Sequence, residues 1–225
     1  AINKDPYYEE ELNGWIYLNS VPNFNIENKV NQLWQEPEAF DNRFRCVKLS
    51  KIFNMDARTV TENSIDILHI SEIHSFGNKE NPLPKYLKMK KINEGHYKVI
   101  YKYEASVNSI PRKIFGLKDL IIENEYILPH YTVARVKFGS FTNTIVTSAL
   151  PISEKKTKLF VKAYRDNWVF NIPILDKIFD LITIKLMDET LNEDKNVVEN
   201  IYPKYKDGNY ITKYDEIINN YRIDY

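Results

Sequence analysis

Between Tyr97 and Tyr164 the chain repeats one pattern, a short apolar run closed by a turn, and this limits the fold more than any other feature. Tyr97, Val99, Tyr101 and Tyr103 alternate with Lys98, Ile100, Lys102 and Glu104, the period-two signature of a strand with one buried face. Ile121 to Leu128 runs up to Pro129, and Thr132 to Phe138, Thr144 to Leu150 and Leu159 to Tyr164 follow. Gly139-Ser140, Asn143 and Pro151-Ile152-Ser153-Glu154 separate them. Short strands joined by short turns predict an antiparallel sheet. After Trp168 the period becomes helical: Ile174, Ile178, Leu181, Ile182, Lys185, Leu186, Glu189 and Thr190 follow it, and Val197, Val198 and Ile201 extend it to Pro203. That is a long helix of the kind that closes a curved sheet. Tyr214 to Tyr225 reads as a last amphipathic helix carrying Ile217, Ile218 and Tyr221, and the fold class is α+β.

Residues 1–45 carry no such rhythm. Asp5-Pro6-Tyr7-Tyr8 reads as a turn, Gly14 to Leu18 as a strand ended by Val21-Pro22-Asn23, and Glu27 to Trp34 as one or two helical turns. With 225 residues and 13% aromatics the chain can bury a real core. Lys+Arg and Asp+Glu are both 31, which gives no general attraction to nucleic acid, and Lys85, Lys88, Lys90 and Lys91 read as a solvated strand or loop face. The single cysteine, Cys46, reads as a buried small side chain; it excludes a disulfide framework and an internal iron–sulfur cluster. No run of apolar residues is long enough to span a membrane and no signal-peptide pattern opens the chain, so the expected location is intracellular, in the cytoplasm or a plastid.

Chemistry concentrates in Glu62-Asn63-Ser64-Ile65-Asp66-Ile67-Leu68-His69-Ile70-Ser71-Glu72-Ile73-His74, which holds two of only four histidines. On an ideal helix His69 and His74 stand about 140° apart, from five steps of about 100°. They can face one metal only if the helix bends, bulges or ends between them; Ser71 is the expected point of distortion and Gly77-Asn78 the expected stop. Asp66 and His69, at i and i+3, are neighbours on a helix. A third ligand is wanted. Asp194 precedes Val197 and Val198 by three and four positions, so it shares their face and points towards the core, where an unpaired carboxylate is costly and a metal supplies a partner.

The pattern Glu62-Asn63-x-x-Asp66-x-x-His69-x-x-x-x-His74, followed by Glu193-Asp194-x-x-Val197-Val198-Glu199, resembles the catalytic domain of Rieske-type non-haem iron oxygenases. The likeness is to the branch that includes pheophorbide a oxygenase and the sterol- and steroid-oxidising enzymes. The resemblance implies that His69, His74 and Asp194 bind Fe(II), with Asp66 hydrogen-bonding a liganding histidine and providing the electron entry route, and Asn63 as a further supporting residue. Glu62 reads equally well as a helix-start charge. The implied fold is a helix-grip (START/Bet v 1-like) antiparallel sheet wrapped on the long C-terminal helix. It would enclose an apolar pocket to which Tyr101, Tyr103, Phe138, Phe141, Tyr164 and Trp168 could contribute, although such aromatics are more often plain core.

The implied activity is oxidation of an apolar, ring-containing substrate with O2 by hydroxylation, demethylation or desaturation, as a monooxygenase rather than a dioxygenase. The family's Cys-x-His and Cys-x-x-His pairs are absent. The expectation is therefore a catalytic domain at 46–225 preceded at 1–45 by the tail of a Rieske domain and a linker. The [2Fe-2S] cluster would come from elsewhere, with a ferredoxin or reductase as donor and a homotrimer as the family's assembly. The competing class is a helix-grip carrier of hydrophobic ligands without redox activity.

Other candidates have plainer readings. His96 follows Gly95 and is expected in solvent; His130, after Pro129, is a weak candidate for the pocket; Glu125 and Arg135 are expected to pair across the sheet. No nucleophile elbow, phosphate-binding glycine loop or His-Glu-x-x-His motif occurs.

Overall fold

The computed structural model describes residues 8–19, 33–74, 77–107, 112–113, 116–166, 173–201 and 212–225. The turn expected at Asp5–Tyr7, most of the helix expected at Glu27–Trp34, and Trp168 lie outside these residues. The chain divides into two compact units, Ala1–Asn42 and Arg43–Tyr225.

In the first unit β1 (Tyr8–Leu12) and β2 (Trp15–Asn19) form an antiparallel hairpin. Its two turn residues, Asn13 and Gly14, have φ of 52° and 76°, the left-handed pair that a tight hairpin with right-twisted strands requires. The Trp15 indole N–H donates to both carboxylate oxygens of Glu36, at 3.0 and 3.1 Å, and a 3-10 turn over Pro37–Phe40 follows.

The second unit is built on a seven-stranded antiparallel sheet, with order β3-β9-β8-β7-β6-β5-β4. Six strands form a meander: β4 (Lys85–Asn93), β5 (His96–Glu104), β6 (Asp119–Ile127), β7 (Tyr131–Phe138), β8 (Phe141–Ser153) and β9 (Lys156–Asp166). The four lysines of β4 lie exposed on this edge strand, as a solvated face should, and charge there discourages edge-to-edge pairing. The seventh strand, β3 (Phe44–Phe53), pairs with β9 at the other edge; its mixed run Phe44-Arg45-Cys46-Val47-Lys48 hides the alternation. Cys46 on it is half-buried rather than buried.

One face of the sheet carries two apolar clusters. Val99, Tyr101, Tyr103, Ile122 and Tyr126 pack with Ile65 and Ile67 and with Ile217, Ile218 and Tyr221; Ala149, Leu159 and Val161 pack with Phe53, Ala57, Val60, Leu191 and Val198. Each fully buried side chain of this size contributes about 1.5–3 kcal/mol. Among the partners of these sheet residues, Phe53 comes from β3 and Ile67 from the link after the first helix; the others are supplied by α1 (Ala57–Ile65), α3 (Pro173–Val198) and α4 (Glu216–Asp224). Asp56 caps α1 by accepting from the Thr59 N–H at 2.9 Å.

The long helix α3 ends at Val198, short of Ile201, and the apolar side of its first half does not face the sheet. Ile174, Ile178, Leu181 and Ile182 are exposed, at 73, 47, 67 and 44%. The sheet-facing side instead carries Asp176 and Asp180, which meet Arg45 of β3 and Arg165 of β9; Arg45 Nε reaches Asp180 at 2.7 Å and an Arg165 amino group reaches it at 3.1 Å. Helical spacing identifies a helix with an apolar stripe, but two aspartates opposite two arginines decide which side goes inward. Among the described residues no helix is long and apolar enough to cross a membrane.

Candidate metal centre

The centre begins where α1 stops. Asp66 leaves the helix with extended dihedrals, φ −66° and ψ 125°, while its N–H still bonds to the Glu62 carbonyl at 2.9 Å. Its carboxylate turns back to accept from the Leu68 N–H at 2.9 Å. Burial pushes the Asp66 carboxyl pKa up, against the opposing influence of His69. The Tyr103 hydroxyl fastens the same link by donating to the Ile67 carbonyl. A second short helix, α2 (His69–Ile73), then carries His69, and His74 stands just outside it with φ −78° and ψ 138°.

The awkward angle between the two histidines is therefore resolved by a helix end, after Ile73, and not by a distortion at Ser71. Gly77 permits the return of the chain: a Cβ there would collide with the Ile70 carbonyl oxygen and stand 2.7 Å from the Ser71 Cα. Asp66 and His69 do not share a helix, and the contact between them is made by backbone. His69 Nδ1 donates to the Asp66 carbonyl oxygen, not to its carboxylate.

The structure brings His69, His74 and Asp194 together, with one donor atom from each inside 4.8 Å of the others. His69 Nε2 and His74 Nε2 are 3.1 Å apart, and each lies 3.5 Å from Asp194 Oδ1. Cis ligands about 2.1 Å from a common octahedral ion are separated by about 3 Å, and tetrahedral ligands by slightly more, so the triangle fits a single ion. The tautomers support the same use. A carbonyl can only accept, so His69 carries its proton on Nδ1; His74 Nδ1 faces Glu193 Oε2 at 2.9 Å and donates to it. With the two Nδ1 protons so engaged, the Nε2 atoms are the ring nitrogens turned toward each other and toward a carboxylate oxygen, and a cation placed among these three atoms would be bound by all of them.

Asp194 is held from α1: Asn63 Nδ2 donates to Asp194 Oδ1 at 3.1 Å. Asn63, Asp66, His69, His74 and Asp194, all singled out in the sequence, thus meet at one place. Glu193 was quoted there without a role and proves to be the partner of His74; its adjacency to Asp194 on a helix end is the only signal that could have marked it. Glu62 is no helix-start charge. It lies in the last turn of α1, buried, and takes both nitrogens of the Arg222 fork at 2.8 and 2.7 Å.

The remaining candidates lie elsewhere. His96 is buried rather than solvated, with Nε2 2.8 Å from Glu125 Oε2, because it starts β5 opposite Ile127 and not in the turn. Glu125 also pairs with Arg135 and with Lys98, as expected for a cross-strand ion pair. The His130 ring lies tilted against that of Tyr225, centroids 5.3 Å apart, and burial lowers its pKa. Tyr101 and Tyr103 belong to the core, Phe138 and Phe141 stack on each other at 5.7 Å, and Tyr164, alternating with Ala163, faces the opposite side of the sheet.

No family model matches the sequence, and no curated protein matches it. Solved structures do. Over 96% of this chain, dicamba monooxygenase bound to dicamba superposes with a TM-score of 0.74 at 14% identity. NdmA of Pseudomonas putida CBB5 with caffeine gives 0.66 at 20%, and NdmB of the same organism 0.68 at 15%. The chain spans 67% of the first of these proteins, 60% of the second and 58% of the third. The likeness is one of fold.

Proposed function

We propose that the unit Arg43–Tyr225 is the mononuclear iron domain of a Rieske-type oxygenase, which oxidises an apolar organic molecule with dioxygen. The observation that carries the proposal is the meeting of two imidazole Nε2 atoms and one carboxylate oxygen within 3.5 Å of one another. His69, His74 and Asp194 would hold ferrous iron as a two-histidine, one-carboxylate face. Bound there, iron would supply the activation of dioxygen.

The protein's own contribution is orientation. The Asp66 carbonyl and the Glu193 carboxylate fix the two rings by their Nδ1 protons, which orients each Nε2 toward the proposed ion. Asn63 holds the carboxylate of Asp194 in place. Asp66, through its carbonyl on His69, stands at the outer side of one ligand and is the proposed point of electron entry.

The fold likeness to dicamba monooxygenase and to the two Ndm proteins supports an oxygenase class and favours a monooxygenase. It lends no support to the pheophorbide a and steroid branch in particular, so the proposal stops at the class. With one cysteine the chain holds no [2Fe-2S] cluster, and the electrons would come from a cluster on another domain or partner, fed by a ferredoxin or reductase. Assembly as a homotrimer and an apolar, ring-containing substrate belong to the same proposal, as does the helix-grip description of the fold.

The test is anaerobic reconstitution with ferrous iron. One equivalent per chain is expected, and His69→Ala and Asp194→Ala should each abolish it. Absence of such binding would overturn the oxygenase reading and leave a carrier of hydrophobic ligands as the better description.

A further inference from the structure

The last helix, α4, is joined to two of the three candidate ligands, His69 and Asp194, by hydrogen bonds and the short stretch of α1 backbone between them. Arg222 Nε and one amino group donate to the two carboxylate oxygens of Glu62, at 2.8 and 2.7 Å, in a pair whose side chains are 19 and 5% exposed. The Glu62 carbonyl accepts the Asp66 N–H at 2.9 Å, and the Asp66 carbonyl accepts from His69 Nδ1. The next residue after Glu62 is Asn63, which donates to Asp194 Oδ1 at 3.1 Å. A one-residue rotation of the last turn of α1 would move both the acceptor of His69 and the donor to Asp194.

Arg58, one turn earlier, places its Nε 3.6 Å from the same carboxylate but lies on the same helix, so it cannot fix how that helix is rotated. Arg222 can, because it comes from a different element. Planar, two-pronged contact sets the direction of a carboxylate as well as its distance, which a single ammonium does not. The seating of α4 does not depend on this pair: Ile217, Ile218 and Tyr221 are buried and Asp224 accepts from the Tyr126 hydroxyl at 2.8 Å.

We propose that Arg222 is a positioning residue for the metal centre, acting through Glu62 to set the rotation of the last turn of α1. The inference rests on the reading of His69, His74 and Asp194 as metal ligands. Cobalt(II) is the probe, titrated anaerobically into the full chain and followed by its visible d–d bands. Arg222→Met is expected to weaken cobalt binding about tenfold and to shift the bands, as loss of outer support of a ligand does. Arg222→Lys, which keeps the charge and loses the fork, should fall between Met and wild type. The double variant Glu62→Gln/Arg222→Gln, with a neutral hydrogen-bonded pair, should recover part of the affinity.

Tyr126→Phe is the control. It removes a different bond to α4, and it should lower the melting temperature while leaving cobalt affinity and bands as in wild type. If Arg222→Met and Arg222→Lys both melt earlier yet bind cobalt as wild type does, with unchanged bands, the pair is only structural and the inference is overturned. If wild type itself binds no cobalt, the failure lies with the metal-centre reading.

Discussion

Asn63 and Asp194, 131 residues apart, are joined by a hydrogen bond of 3.1 Å to the very carboxylate oxygen that both imidazoles face. That bond leaves Oδ1 with one lone pair pointing at the histidines. Asn63→Ala is expected to weaken ferrous or cobalt binding by about 10- to 100-fold while leaving the far-ultraviolet circular dichroism unchanged. Equal affinity in the variant would mean that Asp194 is held by its helix alone.

Glu193 sits one residue before Asp194 and accepts from His74 Nδ1 at 2.9 Å. A glutamine can still accept there and an alanine cannot. Glu193→Gln should therefore lose less metal affinity than Glu193→Ala, with the alanine variant about tenfold weaker or worse. Calorimetric titration with cobalt(II) orders the two, and the reverse order would remove Glu193 from the site.

Metal should also stabilise the fold by mass action. With free cobalt(II) at 100 times its dissociation constant, the gain is about 2.7 kcal/mol, a rise in melting temperature of roughly 5–10 °C for a unit of this size. His69→Ala should show no rise at all. A rise that survives the substitution would place the ion somewhere else.

Away from the centre, Glu125 is expected to govern acid stability. Burial alone would raise its pKa, but the His96 hydrogen bond, Arg135 and Lys98 outweigh it and bring the value from an ordinary 4.5 to about 2. The folded value is depressed, so the stabilisation is complete above about pH 4.5 and is lost as pH falls through about 2; it amounts to at most about 3 kcal/mol. Urea unfolding of wild type and Glu125→Gln should differ most near pH 6, with the gap narrowing by pH 3. A gap that does not change with pH would show that the carboxylate stays charged, or stays neutral, in both states.

The sequence made the strands from Tyr97 to Tyr164 legible because each alternates on a one-sided sheet and ends at a turn residue. It concealed β3, where Arg45 faces an aspartate of α3 and Lys51 reaches Asn192, so polar residues occupy the inward positions. The same cause sets how α3 is turned: Asp176 and Asp180 answer Arg45 and Arg165, a choice that periodicity cannot express. His96 looked solvated because Gly95 precedes it, while its partner Glu125 lies 29 residues on. At the centre, the two histidines and the inward face of Asp194 suggested a metal site, and the resemblance to Rieske-type oxygenases supplied the full ligand set. The supports were hidden. Glu193, Glu62 and Arg222 are ordinary surface residues by type, and only the packing of three helices gives them partners.

His74 and Asp194 are separated in sequence by all six strands of the β4–β9 meander. Closing so long a loop is slow and entropically costly until the strands between have paired. On the metal-centre reading proposed above, the donors would therefore meet only once the sheet has formed. A half-folded chain would hold the histidines without the site, loading would close maturation, and the fraction of chains carrying metal would count those that finished folding.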